Sequence, residues 1–327
     1  MIKRWGILLC TVLLLATSLV WGFGCGEAVS GETLQIVTTI FPEYDWVRQL
    51  LGAQFPNAQV TLLQDNGVDL HNYQPSAADL ILISNCDLFL YVGGESDKWV
   101  ADALQTVRNP NQIALNLLTV LGDAVKEEEP VAGMEQDDHD HAHEDDHEHE
   151  ADEHVWLSLH HAKILCRAIT QALQTLDPAH HAEYEENLLA YTDKLTALDA
   201  RYRAVVDAAA HKTIVFGDRF PFRYLADDYG ITYYAAFTGC SAETEASFET
   251  VKFLADQVDQ HQLRYVLTLE GSDQKLAATI IAQTASKDQR ILTMDSMQSA
   301  KGAAQDSTRN YLWVMEQNLA VLQTVLQ

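Results

Sequence analysis

The sequence predicts an α/β fold: two similar lobes, each a parallel sheet flanked by helices, joined by one long backbone helix. Three observations predict it. Short runs rich in β-branched residues alternate with helical patterns, first in one half of the chain and again in the other, as parallel sheets with crossover helices require. A single helical pattern of about thirty residues separates the two series. The chain has 327 residues, 47% of them apolar, enough for packed cores in one large or two medium domains.

In the first half, LQIVTTIF at 34–41 reads as a strand, followed by a helix from Pro42, which suits a first helical turn. A second strand is expected at 58–63, then a turn-rich loop, QDNGVDLHNYQPS. A helix at 76–84, a strand at 87–92 closed by Gly93-Gly94, a helix around 97–107 and a strand near 112–117 complete the series. A helical pattern resumes at 154–176. Asp177-Pro178 then opens the long helix, with Asp as the cap and Pro in the first turn. Its apolar stripe runs through Tyr184, Leu188, Tyr191, Leu195, Leu198, Tyr202 and Val205. Strands at 213–216, 231–236, 264–269 and 290–294 and a last helix at about 308–326 make the second half. The boundaries expected are a lobe at 33–176, a linking helix at 177–210 and a lobe at 211–327.

Two segments stand outside this pattern. At the N-terminus, Lys3 and Arg4 precede an apolar run from Trp5 to Trp21 and then GFGCGE. This is a secretory signal pattern over 1–25, too short and one-sided for a membrane span. Cys25 sits where a lipoprotein signal places its lipid-bearing cysteine, although Gly22 stands where Leu is usual. A lipidated Cys25 would tether the mature chain to a membrane; plain secretion or a periplasmic location is the alternative. In the middle, 126–153 is dominated by Glu, Asp and His. With no apolar periodicity it reads as a disordered insertion.

Composition removes some functions. Against 21 Lys and Arg stand 47 Asp and Glu, a formal charge of −26, so no nucleic-acid partner is expected: phosphate backbones need clustered cations. The excess suits solubility and cation attraction. Five cysteines without C-x-x-C spacing argue against a disulfide scaffold. Cys86 and Cys166 read as small buried hydrophobes.

In open α/β sheets ligands bind beyond the carboxyl ends of the strands, and two facing sheets make the cleft between lobes the natural site. His71 lies in the loop after the second strand and His154 at a helix start. Asp218 ends the first strand of the second half, and Asp295 the last. Two imidazoles and two carboxylates make a four-coordinate set that zinc or manganese accepts. Singly each has a simpler reading, a solvated loop histidine or an Asp cap; the shared placement at lobe-facing ends favours the metal. His139, His141, His143, His147 and His149, interleaved with acids in the insertion, form an accessory, low-affinity metal-gathering loop.

The chain also resembles a known family, the zinc- and manganese-specific solute-binding lipoproteins of ABC importers, the ZnuA-like class, from VTTIFPEYDWV onward. GVDLHNYQPSAADL is similar to the block around the family's first ligand histidine, here His71. DEHVWLSL is similar to its D-x-H-x-W block, here His154. MDSM resembles the carboxylate block of manganese-type members, here Asp295. One position departs. The family has His or Glu at the end of the first strand of its second half, where GDRFPFRY places Asp218 or Arg219. Arg219 has no free lone pair, so Asp218 is the expected ligand, with Glu243 or water as substitutes.

The resemblance implies an extracytoplasmic receptor, not an enzyme. It would capture Zn2+, or alternatively Mn2+, for an ABC permease, as a monomer at the membrane through its lipid anchor. A zinc hydrolase is the rival from another class; the one H-E-x-x-H match, His143 to His147, falls in the acidic insertion without a helical apolar pattern, and no G-x-S-x-G or P-loop occurs. A metal-storage or cell-adhesion protein on the same fold is a further alternative.

Overall fold

The computed structural model describes residues 33–135, 150–241, 245–304 and 308–327. Cys25, the accessory histidines 139, 141, 143, 147 and 149, and Glu243 lie outside the described residues. From Thr33 to Gln327 the chain forms one compact unit.

The first sheet holds β1 (Leu34–Thr38), β2 (Ala58–Leu62), β3 (Leu88–Tyr91) and β4 (Ile113–Asn116), all parallel, in the order β2-β1-β3-β4. The second holds β5 (Thr213–Phe220), β6 (Thr232–Thr238), β7 (Tyr265–Leu269) and β8 (Arg290–Met294), parallel in the equivalent order β6-β5-β7-β8. In each sheet the strand order reverses beside the first strand, which opens a crevice at the carboxyl ends.

Successive side chains of a strand point to opposite faces, so each sheet needs cover on both. On β1, Ile36 faces the central core, and Val37 faces a smaller cluster with Ile83, Phe89 and Val100, under α2 (Ala77–Asn85) and α3 (Val100–Leu104). The second sheet has a matching outer cluster, Val215, Leu254, Val258 and Ile280, under α8 (Phe248–Gln260) and α9 (Lys275–Gln283). The central core is continuous through both lobes. It takes in Trp46 and Leu50 of α1 (Phe41–Leu51), Leu165 and Ile169 of α5 (Leu159–Leu176), and Val314 and Leu322 of α10 (Tyr311–Val325).

The member that runs through this core is α6 (His181–Asp207), 27 residues entered through a tight turn at Pro178–His180 and about 40 Å long at 1.5 Å per residue. It buries Tyr184, Leu188, Tyr191, Leu195, Leu198, Tyr202 and Val206. It packs on α1 and α5 of one lobe and on α10 and α7 (Arg223–Tyr229) of the other. The Tyr202 hydroxyl donates to the carbonyl of Met315, 2.5 Å away. The Asp177 carboxylate accepts from the Tyr184 hydroxyl at 2.7 Å and pairs with His180 at 2.6 Å.

Two expectations are corrected. The segment 126–153 is not unstructured at its ends. Glu127 and Ala151 form an antiparallel bridge, Glu128 and Asp152 donate backbone N–H groups to Glu150 and Lys126, and Met134 is buried. Backbone pairing and the Glu135 N–H to Ala236 carbonyl bond offset the ordering entropy that composition alone suggested was unmet. β5 does not stop at Phe216 but continues to Phe220 through a bulge, two residues standing opposite one of β6. No helix among the described residues is long and apolar enough to cross a membrane.

Candidate metal centre

His71 sits in a single tight turn, Leu70–Asn72, after β2. Asp69 caps that turn by accepting the backbone N–H of His71 at 3.0 Å. The histidine's Nδ1 lies 2.8 Å from Ser96 Oγ. The Ser96 N–H in turn donates to Glu153 Oε1 at 2.9 Å. This loop approaches closely because Gly94, at φ +81°, carries no side chain; a Cβ there would lie 2.3 Å from Glu153 Oε1.

His154 is fully buried at the start of the turn leading into α5. Asp152 Oδ1 accepts both its backbone N–H and its ring Nδ1–H, each at 2.9 Å. With the Nδ1 atoms engaged by Ser96 and by Asp152, the Nε2 atoms of the two rings point at each other. They are 3.3 Å apart. Two imidazoles on one tetrahedral zinc, with Zn–N about 2.0–2.1 Å, hold their nitrogens about 3.3–3.4 Å apart. The carboxylate behind a ligating histidine is the usual device for fixing its tautomer.

The electrostatics divide the pair. Burial drives His71 down to about 3, and the neighbouring His154 charge pushes the same way. Burial also opposes charge on His154, but Asp152, through charge and hydrogen bond, with Glu153 and Glu128, outweighs it and raises that ring. Two imidazolium rings this close cannot both be charged, so a proton at the pair resides on His154.

Among the described residues, one group of three such side chains has its donor atoms all within 4.8 Å of one another: His71, His154 and Cys240. Cys240 follows β6, and its backbone N–H donates to Glu128 Oε1 at 2.8 Å. Gly239 beside it presses on the His154 ring, where a Cβ would meet Cε1 at 2.8 Å. Burial, with the charges of Glu128, Glu153 and Asp152, pushes the Cys240 thiol far up, so without a metal it is protonated.

Asp218 and Asp295 lie outside this group. The bulge turns Asp218 along the sheet, where it accepts from the N–H of Arg219 at 2.9 Å and of Leu269 at 3.3 Å. Asp295 is ion-paired with Arg309 at 2.7 Å and accepts the N–H of Met297. Arg219, the neighbour of Asp218, reaches across the cleft to Asp69 at 2.7 Å. Among the aromatics near these residues, Trp156 lies tilted against His154 with ring centres 5.3 Å apart. Tyr73 instead donates its hydroxyl to Asp79. Cys240 was not expected. The signal available was its place one loop beyond a strand of the second half, but an isolated cysteine has no spacing partner to mark it.

Two parallel-sheet lobes on one long helix, with donor side chains converging beyond the strand ends, define the class of two-lobed solute-binding receptors. The sequence profile of the zinc-uptake complex component A, periplasmic (ZnuA), matches residues 36–325. The chain belongs to that family. It is 31% identical to the zinc-binding lipoprotein AdcA of Streptococcus pneumoniae over 314 residues, 96% of this chain and 58% of that one; it thus spans somewhat over half the length of that relative. It is 28% identical to the high-affinity zinc uptake system protein ZnuA of Bacillus subtilis over 331 residues, 100% of this chain and 99% of that one. The solved Zn(II)-bound ZnuA-like domain of S. pneumoniae AdcA superposes with a TM-score of 0.69 at 28% identity, covering 90% of this chain and 99% of the domain.

Proposed function

We propose that the chain is an extracytoplasmic receptor that captures a divalent transition ion, zinc, between its lobes and delivers it to an ABC permease. The observation that carries this is the His71–His154 pair: two Nε2 atoms 3.3 Å apart, each ring held from behind at Nδ1 by Ser96 or Asp152. Such a site binds its ion and releases it unchanged, without turnover. The names and the zinc-bound structure of the relatives support zinc as the cargo. In this reading Cys25 carries the lipid anchor, the chain works as a monomer of lobes 33–176 and 211–327 on the linking segment 177–210, and the five histidines between 139 and 149 gather metal near the cleft.

Calorimetry with zinc and manganese tests it, on the full chain, on His71→Ala and His154→Ala, and on a chain lacking 136–149. The deletion stops there because 126–135 and 150–153 are built into the fold around Asp152 and Glu128. One tight zinc that survives the deletion and is lost in both alanine variants supports the receptor. Tight binding that disappears with 136–149 alone would move the site out of the cleft and favour a storage protein.

A further inference from the structure

Building on the receptor reading, we propose that Cys240 is the third protein donor to the metal, as a thiolate, and that it tunes the cleft to zinc-like, thiophilic ions and against manganese. Its Sγ lies within 4.8 Å of the donor nitrogens of both histidines, so only small movements separate the three from one coordination sphere. The loop is held there from three sides. Gly239 allows the backbone to lie against the His154 ring where any side chain would collide. Glu128 Oε1 anchors the Cys240 N–H at 2.8 Å. Arg219 spans both ligand loops, with Nη2 on Asp69 Oδ2 at 2.7 Å and Nη1 on the carbonyl of Ser241 at 3.4 Å. A single guanidinium thus fixes the turn of His71 relative to the loop of Cys240. Meanwhile Asp218 and Asp295 are committed to Leu269 and Arg309.

The chemistry follows from donor softness. Zinc takes imidazole and thiolate together, with Zn–S about 2.3 Å, and tetrahedral sites of mixed nitrogen and sulfur are common for it. Manganese, magnesium and calcium prefer oxygen donors, so replacing a carboxylate by a thiolate removes what would hold them. On binding, the S–H bond of Cys240 breaks, its electron pair forms the metal–sulfur bond and the proton leaves to solvent. No oxidation state changes.

X-ray absorption at the zinc edge, on the full chain with one equivalent of zinc, tests this. One sulfur at about 2.3 Å beside nitrogen at about 2.0–2.1 Å supports the assignment, provided Cys240→Ser loses the sulfur and weakens binding. A shell of nitrogen and oxygen only, on zinc that still depends on His71, overturns the role of Cys240 and leaves the receptor standing. A sulfur-free shell that is unchanged in His71→Ala sinks both. Competition titrations complete the test: Cys240→Asp should narrow the preference for zinc over manganese, and an unchanged preference would refute the selectivity claim.

Discussion

At the scale of single residues, Asp152 holds both the backbone and the ring of His154 with one oxygen, while its charge favours the protonated ring. In a metal complex the same contact would keep Nδ1 protonated and Nε2 free. Removing such a partner typically costs 10–100-fold in metal affinity. Asp152→Ala should therefore weaken zinc binding by about that factor, and Asp152→Asn, which keeps an acceptor oxygen but no charge, by less. Competition calorimetry checks the order; equal affinities in all three proteins would mean that the ring is positioned by packing alone. The histidines were legible because each lies in a recognisable block at a strand end or helix start. Asp218 and Asp295 lie apart from the histidine pair, because the same two features, a carboxylate and a strand end, also describe a residue bonded to its own sheet or to an arginine. Only side-chain direction separates the cases, and that depends on neighbours far away in sequence.

At the scale of elements, the start of α1 carries a titratable cap. Glu43 Oε2 reaches back to accept the backbone N–H groups of Thr39 and Ile40 at 2.8 and 3.2 Å and the Thr39 hydroxyl at 3.1 Å. Its Oε1 meets no hydrogen-bond partner among the described residues. Burial, with the nearby Asp97, pushes Glu43 up to about 8 from an ordinary 4.5. Between those values the folded chain holds a proton that the unfolded chain has lost. Stability is thus full below about pH 4.5 and declines as pH rises toward 8. The slope is up to about 1.4 kcal/mol per pH unit for one such group. Glu43→Gln keeps an acceptor oxygen and cannot ionise, so its urea midpoints should vary less between pH 5 and pH 8; an unchanged slope would place the proton elsewhere. The strands themselves were readable because buried parallel strands are runs of apolar, β-branched residues. The β5 bulge was not, since one extra residue exchanges the faces of everything after it without altering composition. That exchange is why Arg219, rather than its neighbour, reaches the cleft.

At the scale of the whole molecule, the lobes are tied together by more than α6. The segment after β2 bonds to the segment after β8 through Gly67 N–H to Ala300, Leu70 N–H to Gln298 and Gly302 N–H to Asp65. Trp156 Nε1 donates to the Ser296 carbonyl at 2.8 Å, and the N–H of Tyr311 donates to Asp45 at 3.0 Å. Asp69 and Arg219 add an ion pair across the cleft. A hinge that opened the cleft widely would break these bonds together, and each contributes about 0.5–1.5 kcal/mol net. It would also have to bend a helix buried in one core shared by both lobes. Zinc should therefore bind with movement confined to the ligand-bearing loops, a local change rather than domain closure. Small-angle scattering on the full chain, with and without one equivalent of zinc, should give superimposable profiles, while hydrogen exchange slows around His71 and His154. A marked contraction on adding zinc would show that the cross-cleft bonds yield as a set, and the proposed delivery of the ion would then have to be explained by opening of the lobes instead of displacement of one loop.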